Sequence, residues 1–136
     1  MLSCKDASEA AKRVGCIFQH GYVSEAELDV AIADADILLS IGNRVSRSVP
    51  SKLITYFACG KPVVHFSSQK EDVCMQYIEK YELGLVLCEW DTVEENIRKF
   101  QDFLDKALGR SVNIEMVEKV FNKNTPSYSA SLITEA

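Results

Sequence analysis

Short apolar runs alternate along this chain with longer stretches in which apolar residues recur every three or four positions. Runs of strand length occur at Cys16 to Gln19, Asp36 to Ile41, Pro62 to Phe66 and Leu83 to Cys88, with helical patterns between them. Parallel neighbours need a crossover of a dozen or more residues, so this rhythm predicts a Rossmann-like α/β fold, a parallel sheet with helices on both faces.

The helices carry their own punctuation. Ser24 followed by Glu27 reads as a capping box, which starts a helix running to about Asp34. Pro50 suits the first turn of the next, whose stripe of Leu53, Ile54, Phe57 and Ala58 ends at Gly60. Val73, Cys74, Tyr77, Ile78 and Tyr81 form a third stripe. Val93, Ile97, Phe100, Leu104 and Leu108 form the longest, closed by Gly109, and Ile114, Val117 and Phe121 mark one more. A short last helix from Ser127 onward has weaker support. No repeat, low-complexity tract or linker interrupts the chain, so residues 1–136 are expected to form a single domain.

At 136 residues and 15.2 kDa, one core suffices without disulfides or a metal. The five cysteines, Cys4, Cys16, Cys59, Cys74 and Cys88, show no CxxC or CxxH spacing and read as buried free thiols. With His20 and His65 as the two histidines, no metal site is expected. No apolar run approaches membrane-helix length, and the charged start MLSCKDASEAAKR lacks a secretory core, which points to the cytoplasm.

Net charge is -5, which argues against nucleic acid as a partner, but the charge is unevenly spread. From Ile37 to Lys70 there is no Asp or Glu, while Arg44, Arg47, Lys52, Lys61 and Lys70 give that window +5 and leave -10 for the rest. Within it, DILLSIGN, RVSRSV and PSKLITYFACGKPVVHF read as a buried strand, a basic loop, and a helix leading to a second strand. Ligands of open α/β sheets bind outside the carboxyl ends of the strands, which puts the loop Gly42 to Val49 at the functional edge. The start of the following helix offers unpaired amides and a positive dipole end, both suited to a phosphate or diphosphate. Ser48, Ser51 and Lys52 add hydroxyl and ammonium donors for such an anion. The plain structural alternative is that Ser48 caps the helix, Pro50 starts it and Lys52 points to solvent.

The run PSKLITYFACGKPVVHF, preceded by ADADILLSIGN, resembles the C-terminal nucleotide-sugar-binding domain of bacterial GT-B glycosyltransferases, of glycosyl transferase family 1 or 4. Upstream, CIFQHGYVSEAELDVAIADAD is similar to the strand, turn and helix that precede this unit, and ELGLVLCEWDTVEENIRKFQDFL to the last strand and its helix. The resemblance implies a lobe that binds a nucleotide-diphosphate sugar as donor substrate, with no further cofactor and no metal. The acceptor, a saccharide or glycoconjugate, would be held by another lobe, which would also supply any peripheral membrane contact.

On this resemblance Asn43, Arg44, Arg47, Ser48, Ser51 and Lys52 face the diphosphate and sugar. Thr55 stands where the family has a ribose-binding Glu, and Arg47 where it has a second acidic residue. The resemblance begins midway into the lobe, without its first two strands. The chain is therefore expected to be a partial lobe that does not transfer sugar unaided and whose open sheet edge favours a homodimer. The carboxylate-free window offers no general base or nucleophile, so no catalytic residue is assigned.

Two other readings compete. A signalling receiver domain needs an acceptor Asp at a strand end, where this chain has Ser40-Ile41-Gly42-Asn43. A non-catalytic Rossmann-like binding or interaction module that has lost nucleotide-sugar binding is consistent with Thr55 and Arg47. His65, in PVVHF, reads as structural rather than catalytic. Trp90 reads as capping the core rather than stacking on a base, and Tyr56 as packing. Glu89 and Asp91 are the remaining alternatives for ribose hydroxyls.

Overall fold

A computed structural model describes residues 15, 18, 20–42 and 49–121. The chain divides into two compact units, Met1–Asp34 and Ala35–Ala136. In the first, helix α1 spans Glu25–Asp34. It starts at the expected capping box. The Ser24 amide and hydroxyl both donate to Glu27 Oε2, at 2.8 and 2.7 Å, and the Glu27 amide donates back to Ser24 Oγ at 3.3 Å. These bonds hold the Glu27 carboxyl below its usual range. No residue of α1 is buried. Of the expected strand Cys16 to Gln19, only Phe18 is among the described residues, and it is exposed.

The second unit alternates strand and helix and ends on a second consecutive helix. Strand β1 is Leu38–Ile41, α2 Ser51–Ala58, β2 Val63–Ser67, α3 Val73–Lys80, β3 Gly84–Cys88, α4 Val93–Ala107 and α5 Ile114–Val120. The three strands form one parallel sheet in the order β1-β2-β3. The fold is therefore α/β and Rossmann-like, as the alternation predicts. Three of the four expected strands, those of this unit, are present, with ends shifted by one or two residues. The expected C-terminal helix from Ser127 lies outside the described residues.

Register decides what each face presents. Leu38 stands beside Val63, Ser40 beside His65 beside Val86, and Ile41 beside Phe66 beside Leu87. Since neighbours in register point the same way, Leu38, Ser40, Val63, His65 and Ser67 share one face, and Leu39, Ile41, Phe66 and Leu87 share the other. Sequential strand order with right-handed crossovers sends α2 and α3 to the first face. There Leu53, Phe57, Cys74 and Ile78 are buried against the sheet.

A ring cluster joins α2, the end of α3 and α5. The Phe57 ring lies 4.7 Å from Tyr81 and 4.8 Å from Phe121, centroid to centroid, and Tyr77 lies 6.0 Å from Phe121. Burial, with Cys59 and Glu82 nearby, pushes the Tyr81 hydroxyl up to about 12, so it stays a neutral donor to the Lys61 carbonyl at 2.9 Å. Gly60, at φ +69°, turns the chain from α2 to β2. A Cβ there would meet the Val112 carbonyl oxygen, and its own carbonyl accepts from the Val112 amide at 2.8 Å. One glycine thus serves both the turn and the seating of the segment before α5.

Helix α4 covers the second face over β3. Its capping box is complete: the Thr92 amide and hydroxyl donate to Glu95 Oε2 at 2.9 and 3.0 Å, and the Glu95 amide donates to Thr92 Oγ1 at 3.2 Å. Asn96 ties the helix to the strand by donating to the Cys88 carbonyl at 2.8 Å and accepting from its amide at 3.2 Å. The apolar stripe expected to be core is only partly so. Ala107 is buried, and Phe100 and Leu104 are half-buried, but Val93 is 69% exposed and Ile97 52%. They line a groove with Phe66 of β2 and Leu87 of β3, and on β1 Leu39 and Ile41 are 58% and 68% exposed. Among the described residues, no strand pairs with the far edge of β1.

Candidate functional site

The β1–loop–α2 unit is built as the sequence predicts at both ends. After Ile41 the Gly42 amide donates to the Phe66 carbonyl at 2.8 Å, which extends the ladder by one residue. Asn43, Arg44, Arg47 and Ser48 lie outside the described residues. Helix α2 begins at Ser51, with Pro50 as its N-cap rather than in its first turn. Proline has no side-chain acceptor, so among the described residues no side chain caps this helix, whereas α1, α3, α4 and α5 start on Ser24, Asp72, Thr92 and Asn113. Ser51 and Lys52 are exposed in its first turn. Thr55 is exposed one turn on, with its hydroxyl donating to the Ser51 carbonyl at 3.3 Å.

The cation window divides between the two ends of the sheet. Lys61 precedes β2, and its Nζ donates to the Ala35 carbonyl at 2.6 Å, so this charge braces the amino-terminal end. Lys52 and Lys70 are at the carboxyl end and exposed. Of the alternatives for ribose at that end, Glu89 is exposed and Asp91 accepts from Lys99 Nζ at 2.6 Å. That bond raises the Lys99 ammonium above its usual range. Trp90 is 42% exposed, so it caps the core less closely than expected, and Tyr56 is half-buried. A groove of about 340 Å³ opens beside Glu89 and Asp91, between Phe66, Leu87, Val93 and Ile97.

Beneath Gly42 sits a polar cluster that sequence reading did not assemble. His65, read from the sequence as structural, is fully buried. Its Nε2 lies 2.8 Å from Asp72 Oδ2 and its Nδ1 3.1 Å from Ser40 Oγ. An ionised carboxylate only accepts, so Nε2 carries the proton and Nδ1 accepts from the Ser40 hydroxyl. Ser67 Oγ donates to the same Asp72 oxygen at 3.0 Å, and Asp72 Oδ1 caps α3 by accepting from the Cys74 amide at 2.9 Å. Burial raises the Asp72 carboxyl, but the bonds from His65, Cys74 and Ser67 outweigh it, so the group titrates below its ordinary value. The Cys74 thiol moves the other way. Burial, then the Asp72 charge and hydrogen bond, push it up to about 12.

Gly42 is packed directly on this cluster, since a Cβ there would fall 2.6 Å from Asp72 Oδ2 and 3.2 Å from the Phe66 oxygen. The cluster therefore fixes where the chain leaves β1. His65, Asp72 and Cys74 also bring three metal-ligating side chains together, their donor atoms all within 4.8 Å of one another. Two signals in the sequence point to the cluster. The two-residue period of β1 and β2 sets Ser40, His65 and Ser67 on one face, and Asp72 stands at the N-cap position of a helical stripe.

The cysteines divide differently from expectation. Cys74 and Cys88 are buried free thiols, but Cys59 is exposed at the end of α2, where the turn to Gly60 leaves the stripe. Burial, with Asp91 nearby, raises the Cys88 thiol.

Comparison with known proteins gives no match. No family model, no curated protein and no solved structure matches the chain. Among the described residues, no helix is long and apolar enough to cross a membrane.

Proposed function

We propose that this chain is the donor-binding part of a glycosyltransferase, holding a nucleotide-diphosphate sugar at the carboxyl edge of its sheet. The sugar would pass to a saccharide or glycoconjugate acceptor bound outside the described residues. The observation that carries this reading is the start of α2. A helix whose first-turn amides have no side-chain cap among the described residues opens at the carboxyl edge of a parallel sheet, with Ser51 and Lys52 exposed, after a stretch of sequence that holds Arg44 and Arg47 and no carboxylate. Free amides, a positive helix end and cations suit a diphosphate. Glycosyl transfer builds negative charge on the leaving diphosphate, and donors placed beforehand stabilise that charge without reorganising. The resemblance of PSKLITYFACGKP to donor-lobe sequences supports the same site.

The test is a backbone-amide NMR titration with UDP, GDP, ADP and their sugar conjugates. Saturable shifts at Ser51 to Thr55 with one preferred base are the expected result. A folded chain whose amides respond to none of these ligands would refute the donor reading.

Thr55 favours a second reading, a Rossmann-like binding module that no longer holds nucleotide-sugars. Its hydroxyl is committed to the Ser51 carbonyl within its own helix, at the position where the resemblance places a ribose-binding carboxylate. Thr55→Glu separates the two. In a working donor site the restored carboxylate tightens nucleotide binding, whereas in a module without a site the variant and the parent are equally silent.

A further inference from the structure

The geometry points to a metal site that the sequence pattern conceals: we propose that His65, Asp72 and Cys74 bind one zinc-class divalent cation. Their spacing, His-x6-Asp-x-Cys, is not a familiar zinc motif, because the ligands meet only once β2 and the start of α3 are folded together. The imidazole comes from the central strand, the carboxylate from the N-cap of α3, and the thiol from the first turn of that helix. All three side chains are buried, and their donor atoms lie within 4.8 Å of one another. One nitrogen, one oxygen and one sulfur make a donor set for a borderline-soft ion. Calcium and magnesium want six or more oxygens, which these side chains do not supply.

The required adjustments are small. A tetrahedral zinc ion with bonds of about 2.0 to 2.3 Å holds its donors roughly 3.3 to 3.7 Å apart. The His65–Asp72 pair, at 2.8 Å, opens slightly, and the wider separations contract by about an ångström. Ser67 Oγ, 3.0 Å from Asp72 Oδ2, offers a fourth donor beside them.

Charge and protons also balance. A dication with one carboxylate and one thiolate is neutral, which suits a buried position. The ion takes the lone pair of Nε2, so the imidazole proton moves to Nδ1, and the Ser40 hydroxyl changes from donor to acceptor, a reversal any hydroxyl permits. The thiol proton leaves to solvent, so one proton is released for each ion bound. Ser40 then orients the ligating imidazole through its far nitrogen, as outer partners of metal-bound histidines do.

The experiment titrates the metal-free full chain with Co2+ and then displaces it with Zn2+. One equivalent should bind, with a thiolate-to-cobalt charge-transfer band in the near ultraviolet and a raised Tm. Cys74→Ser should abolish the band. Asp72→Asn, which retains a capping side chain, should remain folded and lose stoichiometric binding. Cys59→Ser and Cys88→Ser should change neither readout. The proposal is overturned by the absence of saturable one-to-one binding. It is equally overturned by a cobalt band that survives in Cys74→Ser, or by one that disappears in Cys59→Ser.

Discussion

Asp72 does two jobs with two oxygens, and they can be separated. Oδ1 caps α3 through the Cys74 amide, and Oδ2 receives His65 and Ser67. Replacement by Ala removes both functions and leaves buried donors unpaired, which costs about 3 kcal/mol or more. Asn remains as good a cap as Asp, so Asp72→Asn should be milder than Asp72→Ala by about 1 kcal/mol in urea denaturation. Equal losses would show that the cap contributes nothing. The charge gives a second readout. The folded carboxyl titrates below its unfolded value of about 3.9, so its contribution is present above that pH and is lost as pH falls through the folded value. Stability of the parent should therefore drop below about pH 4 more steeply than that of Asp72→Asn, measured as Tm against pH. Parallel curves for the two proteins would mean that Asp72 is not held low by its partners.

Among the elements, the ring cluster carries the packing of three helices. Phe57 is fully buried between Tyr81 and Phe121, and Phe57→Ala should cost about 4 kcal/mol by cavity formation. A urea midpoint reporting less than about 1 kcal/mol would mean that α2 does not depend on this contact. Ile97 provides the contrast. It is 52% exposed on the uncovered part of α4, so Ile97→Lys should change stability by no more than about 0.5 kcal/mol. Periodicity announced both residues as members of apolar stripes, and this marks where reading a sequence stops. A stripe says which side of a helix is apolar, and only the strands beneath it decide how much of that side is covered. The capping boxes at Ser24 and Thr92 close within three residues, and the first of them was legible in full. The partners of His65 were not, because Ser40 is 25 residues before it and reaches it only through the register of β1 with β2.

Across the whole molecule the uneven charge distribution matters more than the net charge. An acidic chain of net -5 repels a nucleotide diphosphate at long range, yet Lys52 and Lys70 are exposed at the same sheet edge as the start of α2. Lys61, counted in the same basic window, is spent at the opposite end of the sheet on the Ala35 carbonyl. Composition gave the right sign for the window but could not divide it, because strand direction sends residues before β2 to one edge and residues after it to the other. Exposed charges act through screened Coulomb forces, with a range of about 10 Å at 0.1 M salt. If the diphosphate is what the α2 edge holds, affinity for UDP should fall steadily as salt is raised from about 0.03 to 0.3 M, while uridine, which has no phosphate, should bind weakly at every salt concentration. Lys52→Ala should lower UDP affinity and flatten that dependence, because one of the screened partners is gone. Lys61→Ala should leave the salt dependence unchanged, whatever it costs in stability. Calorimetric titrations of the three proteins at several ionic strengths make the comparison. A salt response that tracks Lys61 rather than Lys52 would move the anion to the amino-terminal end of the sheet and remove the reading built on the start of α2.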